Sequence, residues 1–193
     1  SSMVTEQRAA GYDLLKIHPG IPRPAFDAAV ETAKREGIAF AGHIPADVGL
    51  LHALRSGIRS VEHLDGFVEA LQKEGTTLPA NVGFFGFSVL ESVDEAKLPG
   101  LVQTAKAAGA WHTPTQVLIE NLFSEESPEQ LAQRPELRYV PAPMRQNWDK
   151  AVRDNRGQAG YSAEKARRFV ALRRRLIKSL QASGVGLLLG ADA

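Results

Sequence analysis

Five short apolar runs, each close behind a glycine, alternate with longer amphipathic stretches along this chain. The runs span 13–17, 38–42, 59–63, 110–113 and 185–189, and their glycines are Gly11, Gly37, Gly57, Gly109 and Gly184. The amphipathic stretches span 24–36, 48–56, 94–108 and 162–183. Glycine suits the left-handed cap that ends a helix, and this alternation is typical of βα units around a parallel sheet. We therefore predict an α/β fold with parallel strands.

The length of the chain limits how much of such an architecture it can contain. Its 193 residues fall short of the roughly 250 of a complete (β/α)8 barrel, so we expect a single, incomplete barrel domain over residues 1–193. Ser1 and Ser2 precede Met3, from which we expect the natural amino terminus, with any targeting signal, to be missing. The sequence consequently predicts no cellular location.

Charge and composition exclude several classes of partner. Lys and Arg total 23 against 22 for Asp and Glu, so no basic excess points to nucleic acid. No apolar run approaches the roughly 18 residues that cross a bilayer, so we expect no membrane partner. The chain has no cysteine, and any metal must therefore be held by His, a carboxylate or a modified Lys.

The stretch 124–160 differs from the rest because it is rich in Pro, Arg, Gln and Asn. Its composition predicts short helical pieces at most, and a connection of that length in a compact domain usually has a function. We expect this stretch and 75–95 to shape substrate specificity, although neither carries a diagnostic motif.

Four side chains with metal-binding chemistry lie at or just beyond the carboxyl ends of the predicted strands. They are Lys16, His43, His63 and Asp192. Functional side chains gather at this edge of a parallel βα sheet. Lys16 precedes His43 by 27 residues and His43 precedes His63 by 20, each about one βα unit, and neighbouring strands lie about 4.8 Å apart. Two imidazoles on such strands can reach one cation, so we predict a metal site.

Two of these four residues have acidic neighbours that bear on their proposed roles. A cation within an apolar strand is costly unless it is neutralised or paired, so a salt bridge between Lys16 and Asp13 is the alternative to a ligand role. A metal-bound imidazole usually has a carboxylate partner. Of the acidic residues flanking His63, alternation points Glu62 to the opposite face, which makes Asp65 the expected partner of His63.

Two further histidines are candidate substrate-binding residues. His18 lies in the predicted loop after the first strand, close to the metal site. His112 lies within the fourth apolar run, where packing in the core is the alternative. We expect both to lie near a bound substrate if the barrel interpretation holds.

In this order, the motifs DLLKI, AGHIP, SVEHLDG and LLLGADA resemble the amidohydrolase superfamily, in particular its imidazolonepropionase-like and Xaa-Pro-dipeptidase-like branch. They are similar to the fourth, fifth, sixth and eighth strands of that family's (β/α)8 TIM barrel. The resemblance covers nearly the whole chain, and it implies a partial barrel consisting of strands 4 to 8.

The resemblance also implies a role for each strand-end residue. Lys16 would be a carboxylated lysine that bridges two divalent metal ions, expected to be Zn²⁺, with His43 and His63 on the more exposed ion. Asp192 would bind the buried ion and act as the catalytic base. The implied function is a metal-dependent, peptidase-like hydrolase that cleaves an amide, dipeptide, lactam or ester with a metal-activated hydroxide. Its substrate would be a small or dipeptide-like molecule.

Two departures from the family pattern bear on this function. The family's first strand carries a His-x-His pair, and no such pair occurs in this sequence. We therefore expect catalysis from the parent protein rather than from this segment alone. A piece of a barrel also exposes two parallel edges, which predicts self-association or a partner that supplies the missing strands.

Two other functions stay open from the sequence. One is a non-catalytic binding or assembly segment of a barrel, which the missing ligand pair favours. The other is a Schiff-base aldolase with Lys16 as its nucleophile. That second alternative leaves His43, His63 and Asp192 without a role.

Overall fold

The computed structural model describes residues 2–79 and 81–192. The chain divides into two compact units, Ser1–Pro114 with Leu176–Gly190, and Thr115–Arg175 with Ala191–Ala193. The elements before Thr115 are α1 (Ser2–Ala9), β1 (Leu14–Ile17), α2 (Arg23–Glu36), β2 (Ala39–Gly42), α3 (Leu50–Ser56), β3 (Ser60–Glu62), α4 (Phe67–Ala70), α5 (Leu98–Ala108) and β4 (Trp111–Thr113), with 3₁₀ segments at Phe84–Ser92 and Glu95–Lys97. After it follow α6 (Gln116–Leu122), α7 (Pro128–Ala132), a 3₁₀ segment at Pro135–Tyr139, α8 (Ala142–Arg156) and α9 (Ala163–Ala182).

The four strands of the first unit form one parallel sheet in the order β1-β2-β3-β4. The chain after α9 adds a further parallel position beside β4. There the amide of His112 donates to the carbonyl of Gly186 at 2.9 Å, and the carbonyl of His112 accepts from the amide of Leu188 at 2.8 Å. The prediction of an α/β fold with parallel strands is confirmed, and the strand order is consistent with part of a barrel.

Glycines end the helices that lead into β2, β3 and β4, as the sequence predicts. Gly37, Gly57 and Gly109 have left-handed φ angles of 64°, 90° and 66°, and each amide donates back to the last turn of its helix. A residue with a Cβ is disfavoured in this conformation. These glycines therefore determine where each helix gives way to the next strand.

The two faces of the sheet differ because successive side chains of a strand point in opposite directions. The buried face is formed by Ile17, Phe40, Val61 and His112. Helix α2 covers part of it, with the rings of Phe26 and Phe40 edge to face at 6.1 Å between centroids. The other face carries Leu14, Lys16 and Trp111, all exposed. Ala41, opposite Lys16 on this second face, is buried as well, so the larger buried side chains, but not all of them, lie on the first face.

Helix α8, in the second unit, contradicts the expectation that 124–160 holds only short helical pieces. It runs for 15 residues. Its inward side combines the buried Val152 with the buried amide of Asn155, whose Nδ2 donates to the carbonyl of Leu122 at 3.0 Å. A packing face that includes an amide lowers the apolar contrast on which sequence periodicity depends.

Among the described helices, none is both long enough and apolar enough to cross a membrane.

Candidate functional site

His43 lies directly after β2, where hydrogen bonds orient both its backbone and its ring. Its amide donates to the carbonyl of Ile17 at the end of β1, at 3.1 Å. Its Nδ1 lies 2.9 Å from Oδ2 of Asp65, and the two side chains are 19% and 14% exposed. Because a carboxylate only accepts, the Nδ1 carries the proton, and in the neutral ring the lone pair stays on Nε2. His43 therefore has the carboxylate–imidazole arrangement of a metal ligand.

The position of Asp65 corrects one prediction. The sequence suggested that Asp65 orients the neighbouring His63, whereas its carboxylate contacts Nδ1 of His43 and accepts from the amide of Ile44 at 3.4 Å. The backbone explains the difference, since His63 and Leu64 both have left-handed φ angles of 56°. The chain turns there rather than continuing as a strand, so the alternation used for the prediction stops at β3.

His63 is brought against His43 by the parallel pairing of β2 and β3. The rings lie 4.9 Å apart between centroids with an interplanar angle of 27°. The amide of His63 donates to the carbonyl of Thr113 at the end of β4 at 2.8 Å, and only 5% of the residue is exposed. The structure therefore brings together the two histidines that the sequence predicted as ligands of one ion.

Phe85 is a residue of this site that the sequence reasoning missed. Its ring lies 5.3 Å from that of His63 between centroids, and it has a left-handed φ of 54°. Left-handed backbone at a residue other than glycine is disfavoured and is often found at functional sites. His63, Leu64 and Phe85 share it, which marks the surroundings of His63 as a strained region. The only available signal in the sequence was the cluster of phenylalanines between Gly83 and Phe87.

Lys16 lies on β1 opposite Ala41 of β2, one residue before the carbonyl that holds His43. Its side chain is exposed, and it forms no ion pair with Asp13 or with any other residue of the described chain. The sequence argument assumed a buried cation. In the structure, Lys16 is accessible to solvent and lies on the same face of the sheet as the exposed Leu14 and Trp111.

The two candidate substrate-binding histidines lie in different environments. His18 is exposed in the loop after β1, with its ring 5.8 Å from that of His43 between centroids. His112 is 0% exposed and meets the ring of Phe67 edge to face at 5.2 Å. Neither ring nitrogen of His112 has a hydrogen-bond partner among the described residues, and burial lowers its pKa to about 4. This environment matches the core alternative for His112, on the opposite face of the sheet from Lys16.

Asp192, the fourth predicted ligand, belongs to the second unit. It has a left-handed φ of 55° and lines a cavity of that unit. Within residues 2–79 and 81–192, no three His, Asp or Glu side chains are arranged to hold a metal ion. The candidate site in the described residues therefore consists of the imidazoles of His43 and His63, with Asp65 in contact with Nδ1 of His43.

Solved structures that resemble this chain include a bottromycin amidohydrolase and a Xaa-Pro dipeptidase. No family model and no curated protein matches the chain. A bottromycin amidohydrolase is 28% identical over 100% of this chain, with a TM-score of 0.60, and the match covers 40% of that protein. A Xaa-Pro dipeptidase crystallised with methionine in its active site is 17% identical, with a TM-score of 0.45, over 100% of this chain and 37% of that protein. The chain thus spans less than half the length of either neighbour.

Proposed function

We propose that this chain is part of a metal-dependent hydrolase of the amidohydrolase type, and that its strands correspond to strands 4 to 8 of a (β/α)8 barrel. The observation that carries the proposal is the His43–His63 pair, stacked at the carboxyl ends of adjacent parallel strands, with Asp65 on Nδ1 of His43. The likeness to a bottromycin amidohydrolase supports the same class. The proposed substrate is a small amide, dipeptide, lactam or ester.

The donors at this site fit a divalent metal. Imidazole nitrogen and carboxylate oxygen are ligands that zinc prefers, and Asp65 leaves Nε2 of neutral His43 free to donate a lone pair. In the proposed set, His43 and His63 would hold the more exposed of two Zn²⁺ ions, and Lys16, in its carboxylated form, would be a ligand shared by both. Solvent exposure of Lys16 leaves its amine accessible to carbon dioxide for this modification. A metal bound here would act as a Lewis acid and lower the pKa of bound water.

The residues of the chain have distinct tasks in this proposal. Asp65 holds the ring of His43 in one orientation and one tautomer, which a metal ligand requires. Asp192, whose place in the set comes from its position after the last apolar run, accepts a proton on its carboxylate and returns it to the leaving group. His18, exposed beside His43, contacts the substrate. His112 was proposed for the same task, but its burial favours a role in packing.

The Schiff-base alternative is less favoured by the same geometry. A nucleophilic lysine is activated by a desolvated pocket or by a neighbouring cation, and Lys16 is exposed and lies on a strand beside an alanine. That function would also leave the carboxylate-oriented His43 unexplained. A binding segment without catalysis is the outcome expected if the site takes up no metal.

Metal content tests the proposal directly. The purified chain, dialysed after exposure to Zn²⁺, is analysed by plasma mass spectrometry beside His43→Ala, His63→Ala and Lys16→Ala. We expect the two histidine variants to lose most of the bound zinc. His52→Ala is the matched control, because His52 lies in α3 and its ring contacts Asp27 and Arg23 of α2. Equal zinc in all variants, or loss in the control alone, would contradict the proposal.

A further inference from the structure

The second unit contains a partly open, mostly apolar cavity. Its volume is about 380 Å³, and α6, α7, α8 and the 3₁₀ segment Pro135–Tyr139 form its walls. The wall is mostly apolar, with Val117, Leu131, Leu137, Trp148, Ala151 and Val152 among its residues. A cavity of about 150 Å³ admits one benzene molecule, and small-molecule sites begin at about 300 Å³. This space therefore matches a group larger than one aromatic ring.

Polar contacts at the edges of this cavity tie its walls together. The buried Asn155 of α8 donates to the carbonyl of Leu122 in α6 at 3.0 Å. Arg153 of α8 pairs with Glu129 of α7 at 2.7 Å. These contacts link α8 to α6 and to α7, which form walls of the cavity.

The charged residues that line the cavity differ in whether they form an ion pair. Arg134 pairs with Glu126 at 2.8 Å, and Asp149 pairs with Arg153 at 2.9 Å, in both cases with a partner that does not line the cavity. Arg145 also lines the cavity, but it forms no ion pair with any described residue. A guanidinium beside an apolar space is suited to bind a carboxylate.

We propose that this cavity binds a small carboxylate with a bulky apolar body, such as an amino-acid derivative with an aromatic side chain. The apolar body fills the space against Trp148 and Ala151, and the carboxylate pairs with Arg145. This proposal is independent of the proposed function, because binding in the cavity requires no metal.

Tryptophan fluorescence can report on binding, because the chain has two tryptophans and only Trp148 lines the cavity. The substitution Trp111→Phe leaves Trp148 as the single reporter, and the protein is titrated without metal. We expect N-acetyl-L-phenylalanine to shift the emission saturably and N-acetylglycine, which lacks the apolar body, to cause no shift. N-acetyl-L-phenylalaninamide should bind about two- to fivefold more weakly, as expected from the loss of an exposed ion pair.

Variants locate the response. Ala151→Phe fills the cavity and should abolish the shift, whereas Ala163→Phe, at the exposed start of α9, should leave it unchanged. Arg145→Gln should bind the acid and the amide equally. Circular dichroism establishes that each variant is folded. An equal response to N-acetylglycine, or full binding by folded Ala151→Phe, would overturn the proposal.

The two proposals fail separately. If zinc content responds to His43→Ala and the titration shows nothing, the cavity proposal is wrong and the metal proposal stands. If the titration succeeds and zinc content is insensitive to His43→Ala and His63→Ala, the cavity proposal stands and the metal proposal is wrong.

Discussion

Burial of His112 should make the stability of the first unit depend on pH. The ring is fully buried against Phe67 with both nitrogens unpartnered among the described residues. Burial lowers its pKa from 6.5 to about 4, because the charged form loses its hydration without gaining a partner. Between these two values the unfolded chain binds a proton that the folded chain does not, so stability falls as the pH falls from about 6.5 to about 4.

The size of this effect follows from the shift. The difference between 6.5 and about 4 is about 2.5 pKa units, and each unit corresponds to about 1.4 kcal/mol. The free energy of unfolding should therefore fall by about 3 kcal/mol over the whole window, and stay level above it. Most of the loss, about 2.5 kcal/mol, should be complete by about pH 4.5.

The substitution His112→Leu tests this reasoning, since leucine fills a similar volume and has no group to titrate. Urea unfolding is followed by fluorescence of Trp111 in a Trp148→Phe background, so that the signal comes from the first unit. We expect the variant to lose about 2.5 kcal/mol less than the parent between about pH 7.5 and about pH 4.5. His18→Gln, which removes an exposed imidazole, is the control. The same pH dependence in the parent and in His112→Leu would refute the reasoning.

Two further predictions concern the site and its support. Asp65→Asn should weaken zinc affinity about 10- to 100-fold in a competition titration, whereas Asp47→Asn, at an exposed position, should have no effect, and equal losses would contradict the role of Asp65. Gly66→Ala should destabilise the chain to urea by about 1–3 kcal/mol more than Gly11→Ala. Both glycines have positive φ, but a Cβ at Gly66 would lie 2.9 Å from Cβ of Leu50, and one at Gly11 would meet nothing within 4 Å. Equal destabilisation of the two would show that the contact with Leu50 is unimportant.

Local patterns predicted the four strands and the helices α2, α3, α5 and α9, because short apolar runs and glycine caps depend on neighbouring residues. The run before His43 became β2, and Gly37 capped α2 as expected. The pattern failed at α8, where Asn155 occupies a buried position that periodicity assigns to an apolar residue. An amide satisfied by a distant carbonyl packs as well as an apolar side chain, and the sequence does not show that carbonyl.

The division into two compact units was also not predicted. The expectation of one barrel segment over residues 1–193 came from length and strand count. In the structure, Thr115–Arg175 and Ala191–Ala193 form a second unit with its own cavity. Helices that pack on one another rather than on a sheet have the same amphipathic pattern as barrel helices, so sequence periodicity does not separate the two cases.

By itself, the sequence determined the parallel α/β sheet and the meeting of His43 with His63, because strand order and strand ends follow from local alternation and from the right-handed βα connection. Only the tertiary structure decided which ring Asp65 orients, that Phe85 packs on His63, and that Lys16 is exposed. The contacts of Asp65 and Phe85 depend on left-handed backbone at His63, Leu64 and Phe85. Non-glycine residues adopt that conformation only where surrounding packing compensates its cost, and that packing joins residues far apart in the chain.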